Sequence, residues 1–278
     1  MNFFIENNIV VECMEKNLMQ AKIPYGVTAI ADKVFQNCPN LRTVQLPETL
    51  KKIGDYAFDG CPDLSVVDGL KNVESIGECA FANCSSLKEV NFGDRIGYLS
   101  NGAFLGCTGF VKLTLPKNIT YIGCECFRDC TNLSEIKMEG VREIDHNAFE
   151  YCSNIYEISL PETLYHISQN AFSFCVNLKK VEFGNKSVDI DEKAFENTSN
   201  LTFVYSSKNS TAYKFAVKNN FLFAQKIINM ECRVIKSQKL SVLANSGIFI
   251  QYKPYDDKGN IIIAFDKSDR ENVIRLIE

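Results

Sequence analysis

The chain has 278 residues, of which 46% are hydrophobic and 23% charged, and carries a net charge of −4. That apolar share argues against intrinsic disorder, and the mild acidity offers little to nucleic acid or to an anionic membrane surface. No stretch approaches the run of about eighteen apolar residues that a membrane-spanning helix needs.

Residues 1–22 begin Met1-Asn2-Phe3-Phe4-Ile5-Glu6-Asn7-Asn8, with neither the basic nor the apolar region of a secretory leader. The sequence therefore reads as a chain that stays in the cytoplasm. Two apolar pieces flank Asn7-Asn8, which predicts a hairpin capping whatever follows.

From residue 23 to 205 one unit recurs eight times. Its phenylalanines are Phe35, Phe58, Phe81, Phe104, Phe127, Phe149, Phe172 and Phe195, 23 residues apart except for one step of 22. Three residues after each stands Cys38, Cys61, Cys84, Cys107, Cys130, Cys152 or Cys175, with Thr198 in the last copy. Three further on comes Leu41, Leu64, Leu87, Phe110, Leu133, Ile155, Leu178 or Leu201. So strict a period predicts a solenoid whose copies bury their apolar faces against one another.

Within the unit, the spacing of Leu41, Val44 and Leu46 predicts a short strand, closed by proline at Pro47, Pro116 and Pro161. A second extended piece follows through Leu50 and Ile53, often before glycine (Gly54, Gly77, Gly123). The 22-residue step falls between Met138 and Val141, where the loop is shortened and its proline is missing.

Twelve cysteines would suggest a disulfide scaffold, but seven fall at one repeat position. Stacked copies lie roughly 4.7–4.9 Å apart, within disulfide reach, yet equivalent side chains point the same way. The ladder reads as reduced, buried small side chains.

Ser210-Thr211-Ala212-Tyr213-Lys214-Phe215-Ala216-Val217 begins with capping residues and has helical apolar spacing, so residues 206–223 are expected to close the array. Residues 224–278 lose the period and read as a small C-terminal β-rich module or a subdomain packed on the last repeat. Strands are expected over 227–235, 248–252 and 261–265, with a turn at Asp256-Asp257-Lys258-Gly259-Asn260. Ser268-Asp269-Arg270-Glu271 reads as a capping box opening a short amphipathic helix through Val273, Ile274, Leu276 and Ile277.

The pattern x-Ile-Gly-x-x-Ala-Phe-x-x-Cys-x-x-Leu-x-x-Val-x-Leu-Pro, carried by Ile53-Gly54, Ala57-Phe58, Cys61, Leu64, Val67 and Leu160-Pro161, resembles the BspA-like class of leucine-rich repeats. The resemblance covers about residues 23–205, and the flanking segments also resemble that family's. It implies a β-rich (α/β-type) solenoid, a right-handed curved superhelix of eight repeats with terminal caps, used for binding. Many members are surface-exposed or secreted and are proposed to adhere to host or matrix proteins. This sequence shows no export signal or wall-attachment segment, which weakens the adhesin role and leaves the binding role.

Chemistry is sparse. His146 and His166 lie in different copies beside Ile144 and Ile167 and do not pair, so no nucleophile has an evident base. Cys124-Glu125-Cys126-x-x-x-Cys130 has a metal-like look, but Cys126 and Cys130 occupy inward repeat positions. The Asp256 segment lacks the distal Glu of a calcium loop.

Residues alternating with the inward strand positions form a face on the order of 40 Å long. They are Thr43 and Gln45, Val66 and Asp68, Glu89 and Asn91, Lys112 and Thr114, Glu135 and Lys137, Glu157 and Ser159, Lys180 and Glu182, and Phe203 and Tyr205. Phe203 and Tyr205 are the expected aromatic anchors for a partner unless the C-terminal module covers them. The sequence thus reads as a monomeric, non-enzymatic scaffold for a protein partner, with no catalytic set, cofactor or metal. Two alternatives remain: a surface or secreted adhesin, and a ligand-binding or enzymatic activity confined to residues 224–278.

Overall fold

The computed structural model describes residues 3–198, 201–205, 210–225, 230–246, 251–254, 259–266 and 269–277. The chain divides into two units, one running to Tyr205 and including the segment up to Phe223, the other beginning at Ala224.

The first unit is a stack held by three parallel rows of backbone hydrogen bonds. The strand-face row comprises Gln20–Lys22, Thr43–Gln45 and Val66–Asp68, then Lys112–Thr114 with Glu135–Lys137. It ends in a sheet of Glu157–Leu160, Lys180–Phe183, Thr202–Tyr205 and Leu222–Gln225. The second row joins Ile9–Cys13, Ala29–Ile30, Lys52–Ile53 and Ser75–Ile76. It then resumes with Tyr98–Leu99, Tyr121–Ile122, Glu143–Ile144, His166–Ile167 and Asp189–Ile190. The third row lies along the turns, where Phe58 N–H donates to the Ala80 carbonyl at 2.8 Å and Phe81 N–H to that of Ala103 at 2.9 Å.

The hairpin of Phe3–Glu6 and Ile9–Cys13 turns through left-handed Asn7 and Asn8, at φ 50° and 62°, a conformation that asparagine tolerates. Ile9–Cys13 and Gln20–Lys22 also join the two parallel rows, so the cap itself supplies a first turn of solenoid ahead of the eight copies. The shortened loop is localised by register. Lys112 pairs with Glu135 across 23 positions, but Tyr121 pairs with Glu143 across 22.

Every repeat phenylalanine is buried, and successive rings stack nearly parallel. Burying each contributes roughly 1.5–3 kcal/mol, and aromatic pairing adds about 0.5–1.5 kcal/mol. The ladder cysteines are buried free thiols. They do more than fill space. Cys61, Cys84, Cys107, Cys130, Cys152 and Cys175 each donate the thiol proton to the phenylalanine carbonyl of the preceding copy, at 3.1–3.3 Å.

Between the third and fourth copies both strand rows are broken together, a dislocation of the stack. Residues 88–93 form no strand, so the strand-face row is interrupted at the predicted positions Glu89 and Asn91. The second row stops at Ser75–Ile76 and resumes, as a separate sheet, at Tyr98–Leu99. Phe92 stands where another copy has Leu46, and Phe110 where it has Leu41; both meet Phe104 edge-on at 5.8 Å. Ring spacing widens from 5.0 and 5.1 Å to 5.6 and 5.7 Å on either side of Phe104. Bulkier side chains in a packed core hold the copies apart. The Ser100 hydroxyl bridges the break by donating to the Ile76 carbonyl, where Gly77 uses its backbone N–H to reach Ile53.

The last copy closes under the helix Thr211–Lys218, whose N-cap Ser210 accepts the Tyr213 N–H at 3.2 Å. The second unit has an antiparallel sheet with Asn260–Asp266 between Met230–Lys236 and Gln251–Pro254. Helices Leu240–Ala244 and Arg270–Ile277 accompany it, and Ile235, Leu243, Ile261, Ile263, Phe265 and Val273 form its core. The first of these helices was not expected from sequence. The expected strand residues 227–229 and 248–250, the turn residues 256–258 and the capping Ser268 lie outside the described residues.

Candidate binding face

A parallel strand with one buried face directs alternate side chains outward, and the in-register ladder lines them up copy upon copy. Thr43 stands beside Val66 and Gln45 beside Asp68. Lys112 stands beside Glu135 and Thr114 beside Lys137. Glu157 stands beside Lys180 and Ser159 beside Glu182.

The two halves of this face differ in electrostatics. In the C-terminal half, charges are matched across copies, Lys112 to Glu135 at 2.8 Å and Lys180 to Glu157 at 3.4 Å, and along single strands, Lys137 to Glu135 and Lys180 to Glu182, both at 3.7 Å. The hydrogen bond from Lys112 holds the Glu135 carboxyl below its ordinary range and raises the Lys112 ammonium. In the N-terminal half, Gln20, Thr43, Gln45, Val66, Asp68, Glu89 and Asn91 line a depression of about 370 Å³. Val66 is 49% exposed there, a lone apolar side chain among polar ones.

Phe203 and Tyr205 do not belong to this face. Phe203 pairs in register with inward Val181, and the two aromatics are 0% and 2% exposed. Two residues separate Leu178 from Val181, but only one separates Leu201 from Phe203. A slip of one residue turns every side chain of a strand to the opposite face. Thr202 and Val204 point outward instead. Their cover comes from the end of the first unit: Phe215 and Phe221 pack on Phe203 at 5.7 and 5.2 Å, and Tyr213 on Tyr205 at 4.9 Å.

The second row carries both histidines. His146 Nδ1 lies 2.5 Å from Asp145, which also accepts the Tyr121 hydroxyl; His166 Nδ1 lies 2.9 Å from Asp189. Burial raises the Asp145 carboxyl, but these hydrogen bonds outweigh it and leave its pKa lowered. Burial and the neighbouring Asp145 push the Tyr121 phenol up. Cys126 and Cys130 are fully buried, as their repeat positions require, and burial raises both thiols. Among the described residues, no group of three or more His, Cys, Asp or Glu side chains is arranged to hold a metal ion. No helix among them is long and apolar enough to cross a membrane.

The BspA type leucine rich repeat region is matched over residues 7–134 and 98–222, in six copies. The chain belongs to this family. As a BspA-type array it resembles a leucine rich cell surface protein from Faecalibacterium prausnitzii A2-165. The two are 27% identical with a TM-score of 0.60, covering 66% of this chain and 53% of that one. The match therefore spans about half of that protein's length. A leucine-rich-repeat protein of T. pallidum is 28% identical, with a TM-score of 0.57 over 63% of this chain and 86% of its own. The same fold recurs in a leucine-rich repeat protein from Bacteroides ovatus, 22% identical, with a TM-score of 0.55 over 81% of this chain and 74% of that one. No curated protein matches the sequence.

Proposed function

We propose that this BspA-type array is a non-enzymatic protein-binding scaffold that acts, as a monomer, through its strand face. The observation that carries the reading is the row of outward side chains from Thr43, Gln45 and Asp68 through Lys112, Thr114, Glu135, Lys137, Glu157 and Ser159 to Lys180 and Glu182, in register within each sheet and set on a buried ladder, with Glu89 and Asn91 in the break between the first two sheets. Such a surface offers contact area, charge register and rigidity, and asks for no chemical step. Affinity capture from native extract with the intact array and with an Asp68→Lys/Lys180→Glu variant tests it. A partner held by the first and released by the second, with the circular dichroism unchanged, supports the strand face. A partner retained equally by both refutes it.

A second reading places the array on a cell surface, and the resemblance to a leucine rich cell surface protein favours it. Protease shaving of intact native cells tests this reading. Loss of the chain from shaved cells supports it, and full protection rejects it.

A further inference from the structure

The dislocation between the third and fourth copies has a consequence on the second row, away from the strand face. At that row, Lys52, Asp55, Glu78, Tyr98, Asn101 and Tyr121 border an open groove of about 530 Å³, within the size range of small-ligand sites. It runs across four rungs from Lys52 to Tyr121, roughly 4.8 Å apart where they are paired, with the break between Ser75 and Tyr98 at its middle. That is long enough for several linked rings and too shallow to swallow one.

Two tyrosines from neighbouring rungs, Tyr98 and Tyr121, stand in register on its wall. Tyr121 is fixed by the hydrogen bond from its hydroxyl to Asp145. Tyr98 is 49% exposed. Around them are polar groups held in place with capacity to spare. One Asp55 oxygen, Oδ1, accepts the Glu78 N–H at 2.8 Å, which orients the carboxylate and leaves Oδ2 uncommitted. Asn101 Oδ1 accepts the Cys124 N–H at 3.0 Å, which fixes the amide and leaves its NH₂ outward. Ser75 between the lysine and the tyrosines is small, so the groove is not filled by its own wall.

We infer that this groove binds a short neutral oligosaccharide. The face of a pyranose ring is a patch of C–H groups that lies flat on the negative face of an aromatic ring. Its edge is a row of hydroxyls that both donate and accept. Oriented carboxylate oxygens take the donated protons, and an amide NH₂ supplies the return bond. An acidic sugar is disfavoured because Asp55 and Glu78 repel it. A wholly apolar ligand is disfavoured because it would leave those groups desolvated and unpaired. The inference is independent of the strand-face reading, since it uses a different row and different residues.

Titration calorimetry of the full chain with maltotriose, cellotriose, lacto-N-triose and chitotriose, together with sialyllactose and a tetra-arginine peptide, provides the test. At least one neutral trisaccharide is expected to bind in the millimolar range or tighter, with sialyllactose and the peptide weaker. Tyr98→Ala is expected to lower that affinity about tenfold, while Tyr98→Phe, which keeps the ring, retains most of it. A Lys117→Ala change, in an exposed loop outside the groove and the strand face, leaves it untouched. Failure of every neutral trisaccharide to bind the unaltered chain, undiminished binding by Tyr98→Ala, or preference for the acidic sugar or the cationic peptide would each overturn the inference. Unchanged circular dichroism of Tyr98→Ala separates a lost platform from a lost fold.

Discussion

Cys84 donates its thiol proton to the carbonyl oxygen of Phe58, 3.2 Å away in the preceding copy. The thiol is buried, so the bond is made where water cannot substitute for it. Cys84→Ala removes both the sulfur's volume and this bond, and is expected to cost about 1–3 kcal/mol. Urea denaturation of the intact chain reads the loss as a lowered midpoint. An unchanged midpoint would mean that neither the bond nor the packing of the sulfur contributes to stability.

The same ladder predicts a stability that declines in alkali. Burial pushes Cys84 and Cys175 up to about 12, and raises Cys107 and Cys152 well above the ordinary thiol value. The unfolded chain loses these protons near pH 8.5 while the folded chain keeps them. Their contribution is therefore full below that pH and falls as pH rises toward 12, by about 1.4 kcal/mol per pH unit for each group. Denaturation midpoints between pH 8 and 11 should fall less steeply in Cys84→Ala than in the parent. Parallel curves would contradict the assignment.

Gly140 sits in the one shortened loop, and a Cβ there would run into the carbonyl oxygen of Lys117 in the preceding copy. A Cβ at Gly93, in a full-length step, would meet the Lys71 carbonyl in the same way, so the close approach belongs to this turn and not to the deletion. Gly140→Ala is expected to lower stability by about 2 kcal/mol or more. The same change at Gly97, where nothing stands within 4 Å of the added atom, serves as the control. Equal thermal shifts for the two variants would show that the loop relaxes without cost.

The wedge at the dislocation is testable by amide exchange. Phe92→Leu with Phe110→Leu restores the leucines of the other copies, and the backbone N–H of Ser100 is expected to take up the bond to Ile76 that its hydroxyl now makes. Slower exchange at Ser100 in the double variant is the predicted outcome. Exchange that is no slower would place the cause of the break elsewhere.

Much of this molecule was legible because a fixed period converts residue type into position. The phenylalanines, the inward cysteines and the site of the shortened loop all follow from counting. The charge matching of Lys112 with Glu135 and of Glu157 with Lys180 was equally readable, since residues one period apart become neighbours in register. Phe203 and Tyr205 escaped because one missing residue after Leu201 reverses a strand, and counting from the phenylalanine carries the old parity forward. The dislocation had a signal too, in Phe92 and Phe110 standing at leucine positions. Its effect depends on how rings share space around Phe104, which spacing alone does not show. The thiol hydrogen bonds were hidden for a different reason: a small buried side chain looks the same in sequence whether or not it donates.

The turn-side row, from the Phe35 N–H bonded to Ala57 through to the Phe172 N–H bonded to Ala194, continues past the point where both strand rows are interrupted. Each junction along it uses the same pair of surfaces. Excising one whole period between Phe35 and Phe81 would therefore bring together two faces that already fit, with the thiol of the next copy finding the same carbonyl. Length in this array is consequently an inheritable variable that gene recombination can change by whole units. A gain or loss of any other size would bring mismatched faces together.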